Sequence, residues 1–175
     1  MKGTLQVINQ MVADGVIDGY VIGGAIAATY YLEPINTSDV GIFFHIAISA
    51  SGLATLSPLY AYLRERGHEP KDETIEIAGW PVQFLPIFNP LLEEAYQQAL
   101  KITFQAVPTQ IMQTVHLMAI MVQTGRPKDY ARLLQFIEAD AVDVSTLELV
   151  LARHDLSERW KEFLIKFGVT INKKA

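Results

Sequence analysis

The chain has 175 residues, half of them hydrophobic and 19% charged, with a formal net charge of −5 and no cysteine. This length supports one ordinary domain with a real core, and the composition excludes a disordered chain. Disulfides, thiolate metal sites and a cysteine nucleophile are excluded, and the acidic balance argues against an extended nucleic-acid-binding surface.

Residues 1–10 lack the apolar stretch and small-residue cleavage site of a signal peptide. Residues 40–63 carry no Asp, Glu, Lys or Arg, yet His45, Ser49, Ser51, Gly52 and Thr55 occupy their middle. A bilayer span tolerates polar groups least there, so a strand, a loop and a helix are predicted instead. The expectation is a cytoplasmic protein with no membrane association. No basic residue occurs between Lys2 and Arg64, which suggests a buried α/β core first and a solvent-facing helical part later.

In chain order, residues 5–13 read as a helix on the Leu5, Ile8 and Val12 spacing, broken by Asp14-Gly15. Residues 20–22 are a short β-prone run ending in Gly23-Gly24, and 25–32 an Ala-rich helix stopped by Pro34. Residues 40–48 read as a strand buried on both faces. Residues 55–66 read as a helix with Pro58 in its first turn and Gly67 past its end. Residues 74–77 and 82–85 flank Ala78-Gly79-Trp80-Pro81 as a hairpin.

Asn89-Pro90 caps and opens another helix. Pro108 is expected to open the next, with Ile111, Val115, Met118 and Val122 as its stripe and Gly125 as its end. Pro127 opens a helix carrying Leu133, Leu134 and Ile137. Ser145 to Glu148 has the form of a capping box, and Asp155 is expected to cap a last helix over 156–167, closed by Gly168. The predicted class is α/β (α+β): a small mixed sheet flanked by helices, with an α/β core over 1–106 and a helical region over 107–175.

Two segments carry candidate chemistry. Paired glycines at a strand-to-helix turn, Gly23-Gly24, let a backbone approach a phosphate closely. In Thr37-Ser38-Asp39-Val40-Gly41, an Asp at the start of a buried strand offers a Mg²⁺ ligand beside phosphate oxygens. The structural alternative is a tight turn and an Asp at a loop-strand junction.

The pattern resembles the polymerase-β type of nucleotidyltransferase, closest to the minimal AbiEii/AbiGii toxin-like group. Tyr20-Val21-Ile22-Gly23-Gly24-Ala25 matches the family's Gly-Gly turn, and Thr37, Asp39 and Val40 its metal motif. Val82-Gln83-Phe84-Leu85-Pro86 resembles its later strand, and Asn89-Pro90-Leu91 with Glu93-Glu94-Ala95 the helix that follows. Gly125-Arg126-Pro127-Lys128-Asp129 is similar to its basic turn.

The resemblance implies nucleotide contacts from Gly23, Gly24, Thr37, Ser38, Arg126 and Lys128, with Asp39 on Mg²⁺. The motif is degenerate: its second Asp falls at Gly41 and its third carboxylate at Gln83, which offers a carbonyl oxygen without charge. A turn at 78–81 would pair Ile77 with Val82 and Glu76 with Gln83, and Glu76 would then be placed to supply a carboxylate, the alternative being a solvated strand residue.

The implied function is a degenerate nucleotidyltransferase-like protein that binds a nucleotide or a protein partner, with weak or no transferase chemistry. The alternative is an active Mg²⁺-dependent enzyme moving NMP from an NTP to a protein, RNA or small-molecule acceptor. A purely structural interaction domain is the third class, and homo-oligomerisation is open.

His45 shares a strand face with Asp39 and Gly41 by its even offset, and a hydrogen-bonded structural role is expected for it. The four histidines show no zinc spacing, and no P-loop, Rossmann or Gly-x-Ser-x-Gly pattern occurs. Arg126 and Lys128 read either as a triphosphate contact or as helix-terminal charge with Asp129 and Arg132 as solvated neighbours. Met112, Met118 and Met121 read as core or interface filler. Trp80 and Trp160 read as packing anchors, with Trp80 alternatively marking a contact surface.

Overall fold

The β-branched and aromatic runs pair into one mixed sheet, and the amphipathic runs pack on it as helices. The computed structural model describes residues 1–33, 37, 39–46 and 55–171. The chain begins with α1 (Lys2–Ala13), β1 (Val21–Gly23), α2 (Gly24–Ala28) and β2 (Val40–Phe44). Then come α3 (Ser57–Glu65), β3 (Pro70–Lys71), β4 (Thr74–Ile77), β5 (Trp80–Pro86) and α4 (Pro90–Gln97). The hairpin β6 (Leu100–Phe104) and β7 (Val107–Ile111) precedes α5 (Thr114–Thr124), α6 (Pro127–Glu138), α7 (Val144–Arg153) and α8 (Ser157–Phe167). Pro34, Ser38 and the end of the strand expected to reach Ile48 lie outside the described residues. Among the described residues no helix is long and apolar enough to cross a membrane.

The strand order is β3-β4-β5-β2-β1-β7-β6. β2 runs antiparallel to β1 and parallel to β5, and β1 runs parallel to β7. Side chains alternate faces along a strand. Val40, Ile42 and Phe44 of β2, with Val82 and Phe84 of β5, are buried on one face. α1 packs against β4 and β7, and the Thr4 hydroxyl donates to Ile77 O at 3.0 Å. Gly41, Phe43, Gln83 and Leu85 point to the other face and are only half-buried. Burial on both faces, expected for β2, is therefore corrected: its odd-numbered residues border a cavity.

Three other expectations are corrected. Pro108 opens no helix but lies inside β7, whose Val107, Thr109 and Ile111 alternate into the core. The sheet thus continues past residue 106, and the helix on the Val115–Val122 stripe starts at Thr114. The β6–β7 turn places Gln105 (φ 48°) and Ala106 (φ 66°) in left-handed conformations without glycine, so nothing in its composition marks a hairpin. The cap of α7 is Asp143, whose carboxylate accepts from Ser145 N at 3.0 Å. Asp155 adopts φ 56° one residue before the N-cap of α8, Leu156, and α8 has no side-chain cap bond.

Candidate functional site

The two glycines of the β1–α2 turn answer different demands. A Cβ on Gly23 would stand 2.5 Å from Phe43 Cε2 and 3.0 Å from Met112 Sδ, so no side chain fits there. Gly24 has open space but φ +62°, the left-handed region that glycine adopts without penalty. Between them they bring the start of α2 against the entry of β2.

There the two strands align Gly23 with Gly41, and β2 aligns Gly41 with Gln83 of β5. Asp39 precedes this row, and the Thr37 hydroxyl donates to Asp39 O at 3.1 Å. On the opposite side α5 contributes Leu117, Ile120, Met121 and Thr124. The N-cap of α6, Arg126, and its first two turns complete the wall with Lys128, Asp129 and Arg132. The cavity measures about 280 Å³.

Of the residues singled out from sequence, Gly24, Thr37, Asp39, Gln83, Arg126 and Lys128 line this one cavity. Gly23 sits behind it under the Phe43 ring. Ser38 lies outside the described residues.

Glu76 does not line the cavity, and its expected pairing is corrected. The hairpin turn has two residues, Ala78 (φ 50°) and Gly79 (φ 80°), so Glu76 pairs with Pro81 rather than Gln83. The two-residue shift keeps Glu76 on the same face but one strand outside β5, where its side chain is exposed. The carboxylate that reaches Gln83 is Glu73, in the β3–β4 turn, which accepts from Gln83 Nε2 at 3.1 Å.

The basic turn is organised by Asp129, which is 1% exposed. Arg126 donates to it through Nε (2.7 Å), a terminal guanidinium nitrogen (3.0 Å) and its backbone N–H (3.2 Å), and Thr124 donates its hydroxyl at 2.7 Å. Burial alone would raise the Asp129 carboxyl, but these donors hold it below its ordinary value. Bonding to Asp129 in turn raises the Arg126 guanidinium. Asp129 is thus a buried anchor, unlike the solvated neighbour of the helix-terminal-charge reading.

Arg132 is also drawn inward. Its Nε is buried with no hydrogen-bond partner among the described residues, and burial lowers its pKa while Asp129 and Asp39 oppose that shift. Lys128 and Arg132, four residues apart, share a face of α6. With Arg126 neutralised by Asp129, the described lining carries Lys128 and Arg132 against Asp39.

His45 takes no part in the cavity lining. Its Nε2 lies 2.7 Å from Glu93 Oε2, and its ring packs edge-on to Tyr96. Trp80 is half-buried, whereas Trp160 is buried and stacks on Phe163. Met112, Met118 and Met121 are all buried.

A second polar cluster escaped the sequence reading. Glu94 of α4 lies 2.7 Å from His154 Nε2 and 3.3 Å from His116 Nε2, and pairs with Arg153. Burial would raise the Glu94 carboxyl, but these donors bring it to about 2. Burial pushes His116 down, which favours its neutral form.

The cavity is a poor fit for paired Mg²⁺ ions. Such ions are held by carboxylates. Among the described lining residues these are Asp39 and Asp129, and both Asp129 oxygens are engaged by Arg126. Gly41 has no donor, and Gln83 offers an uncharged amide. No group of three His, Asp or Glu side chains suited to a metal occurs among the described residues.

No family model matches the sequence, and no curated protein matches it. Solved structures do resemble the fold. An antigenic nucleotidyltransferase-like protein from Paracoccidioides brasiliensis aligns over 90% of this chain and 90% of its own, with a TM-score of 0.51 and 15% identity. ANT(2'')-Ia in complex with adenylyl-2''-tobramycin aligns over 89% of this chain and 98% of its own, at TM-score 0.52 and 14% identity. The solution structure of ANT(2'')-Ia, an antibiotic-resistance factor, aligns over 95% and 97%, at TM-score 0.54 and 14% identity. At such identities the likeness shows the fold, which is of the nucleotidyltransferase type.

Proposed function

We propose that this chain is a degenerate nucleotidyltransferase-like protein that binds the polyphosphate of a nucleotide, with weak or no transferase chemistry. The observation that carries this function is the convergence of Gly24, Thr37, Asp39, Gln83, Arg126 and Lys128, from separate parts of the sequence, on one cavity. Its volume, about 280 Å³, is at the small end for ligand pockets, which suits phosphates held inside with the nucleoside at the mouth. Missing carboxylates at Gly41 and Gln83 argue against two-metal transfer.

Within the fold, the Gly23-Gly24 turn, Thr37, Asp39 and the basic turn at Arg126 and Lys128 support the resemblance to the AbiEii/AbiGii toxin-like group.

Calorimetric and thermal-shift titration with the four NTPs tests the function. A nucleotide at about 100 times its dissociation constant should stabilise the native chain by about 2.7 kcal/mol. Lys128→Ala should weaken it by about tenfold. Failure of all four NTPs to bind would contradict the function and leave only the fold.

A further inference from the structure

The donor set that fails to fit paired metal ions stands beside Lys128 of the basic turn and Arg132, which no motif assigned. In a phosphoryl-binding site, positive charge must face the phosphate oxygens, and metal ions or arginine and lysine side chains can supply it. Here the α6 face supplies it. Lys128 stands on the first turn, Arg132 one turn later, and both border the cavity with Gly24 opposite.

Arg132 is the informative member. Its Nε is shut away from water yet donates to nothing among the described residues. An unmet buried donor carries a desolvation penalty, and an arriving acceptor removes it. A guanidinium stays protonated at neutral pH and matches phosphate geometry in a bidentate fork.

The fork of Arg126 is held differently. Asp129 occupies its Nε and one terminal nitrogen, so Arg126 acts mainly as part of the turn. That leaves Lys128 and Arg132 as the pair available to a ligand's phosphates. Asp39 lies in the same cavity and contributes electrostatically to Arg132.

We infer that Arg132, with Lys128, binds the nucleotide polyphosphate directly and independently of a divalent metal, in the role that metal ions play in active enzymes of this fold. This inference rests on the nucleotide binding proposed above and adds a residue and a metal-independent mode to it. The ligand class is a di- or triphosphate chain, free or attached to a nucleoside.

The test is titration of the full chain with ATP and with inorganic triphosphate, each in EDTA and in excess Mg²⁺, for wild type, Arg132→Gln and Arg132→Lys. The expected result is binding of both ligands in EDTA, unchanged or weakened by Mg²⁺. Arg132→Gln should lose about ten- to a hundredfold in affinity, with Arg132→Lys between the two. The melting temperature of each unliganded variant establishes that it folds, and Arg132→Lys keeps the charge should the Gln variant not fold.

Binding that appears only with Mg²⁺, or a folded Arg132→Gln that binds as wild type does, would overturn the inference while leaving nucleotide binding in place. No binding of either ligand under any condition would overturn both.

Discussion

Asp129 shows how a single residue sets the geometry of the basic turn. It is buried, and every donor it accepts comes from Thr124 or Arg126, within five residues. Asp129→Asn should destabilise the protein by about 2 kcal/mol in urea unfolding, because charge-assisted bonds are replaced by neutral ones. Its carboxyl is held below the ordinary 3.8 in the folded state. That contribution is therefore complete above about pH 4 and lost as pH falls through the folded value. The Arg-x-x-Asp spacing was readable in sequence, but the burial that turns Asp129 into an anchor and strands the Nε of Arg132 comes from tertiary packing. Gly23 is a second such position: Gly23→Ala drives a methyl into the Phe43 ring and should cost about 1–3 kcal/mol by the same measurement. Gly41 is the opposite case. A Cβ there would meet Leu85 Cδ1 at 3.6 Å and Phe43 Cε2 at 3.7 Å, ordinary contacts. Gly41→Asp should therefore fold and restore the motif's second carboxylate. Thermal shift in the presence of ATP should then gain a Mg²⁺-dependent stabilisation that the wild-type chain lacks.

At the scale of elements, short turns decided what could be read. Asn89 was legible as a cap because the amide oxygen accepts from Leu92 N at 2.8 Å and Pro90 follows it. The Gly125 and Gly168 helix ends were legible for the same local reason, since both adopt the left-handed conformation that ends a helix. The β6–β7 hairpin was not, because Gln105 and Ala106 make its turn with positive φ and carry no turn signature. At Ala78-Gly79 the hairpin is legible but its turn length is not: the turn has two residues rather than four, which pairs Glu76 with Pro81 instead of Gln83.

Elements distant in sequence are joined by Glu94. From α4 it binds His116 of α5 and Arg153 and His154 at the end of α7. Its carboxyl falls from an ordinary 4.5 to about 2 on folding. The sign follows directly: the stabilisation is complete above about pH 4.5 and disappears as pH drops from there towards 2. Glu94→Gln should cost about 2 kcal/mol at pH 7 and flatten the dependence of stability on pH below 4.5, as followed by urea unfolding at several pH values.

Across the whole molecule, the charge layout read from sequence has a physical counterpart. The first sixty residues, poor in charge, give the sheet centre and the Gly-Gly turn, while the cations of the cavity wall come from α6 and its N-cap, Arg126. The fold type and the central strands could be read from local patterns of apolar alternation, glycine pairs and caps, whereas Gln83, Arg126 and Lys128 could be read only through the family resemblance. Glu73 beside Gln83, the burial of Asp129 and the unpartnered Nε of Arg132 could not, because they depend on which elements come to lie together. The result is a nucleotidyltransferase-type fold whose cavity brings Asp39, the Lys128 and Arg132 cations of α6 and apolar side chains of α5 to one place.

A crystal structure of the chain with a nucleoside triphosphate decides whether the cavity is a phosphate site. Electron density for the phosphates is expected inside it, between the Gly23-Gly24 turn and the Lys128–Arg132 face of α6. A nucleotide bound elsewhere, or a cavity that excludes phosphates at saturating nucleotide, would contradict this.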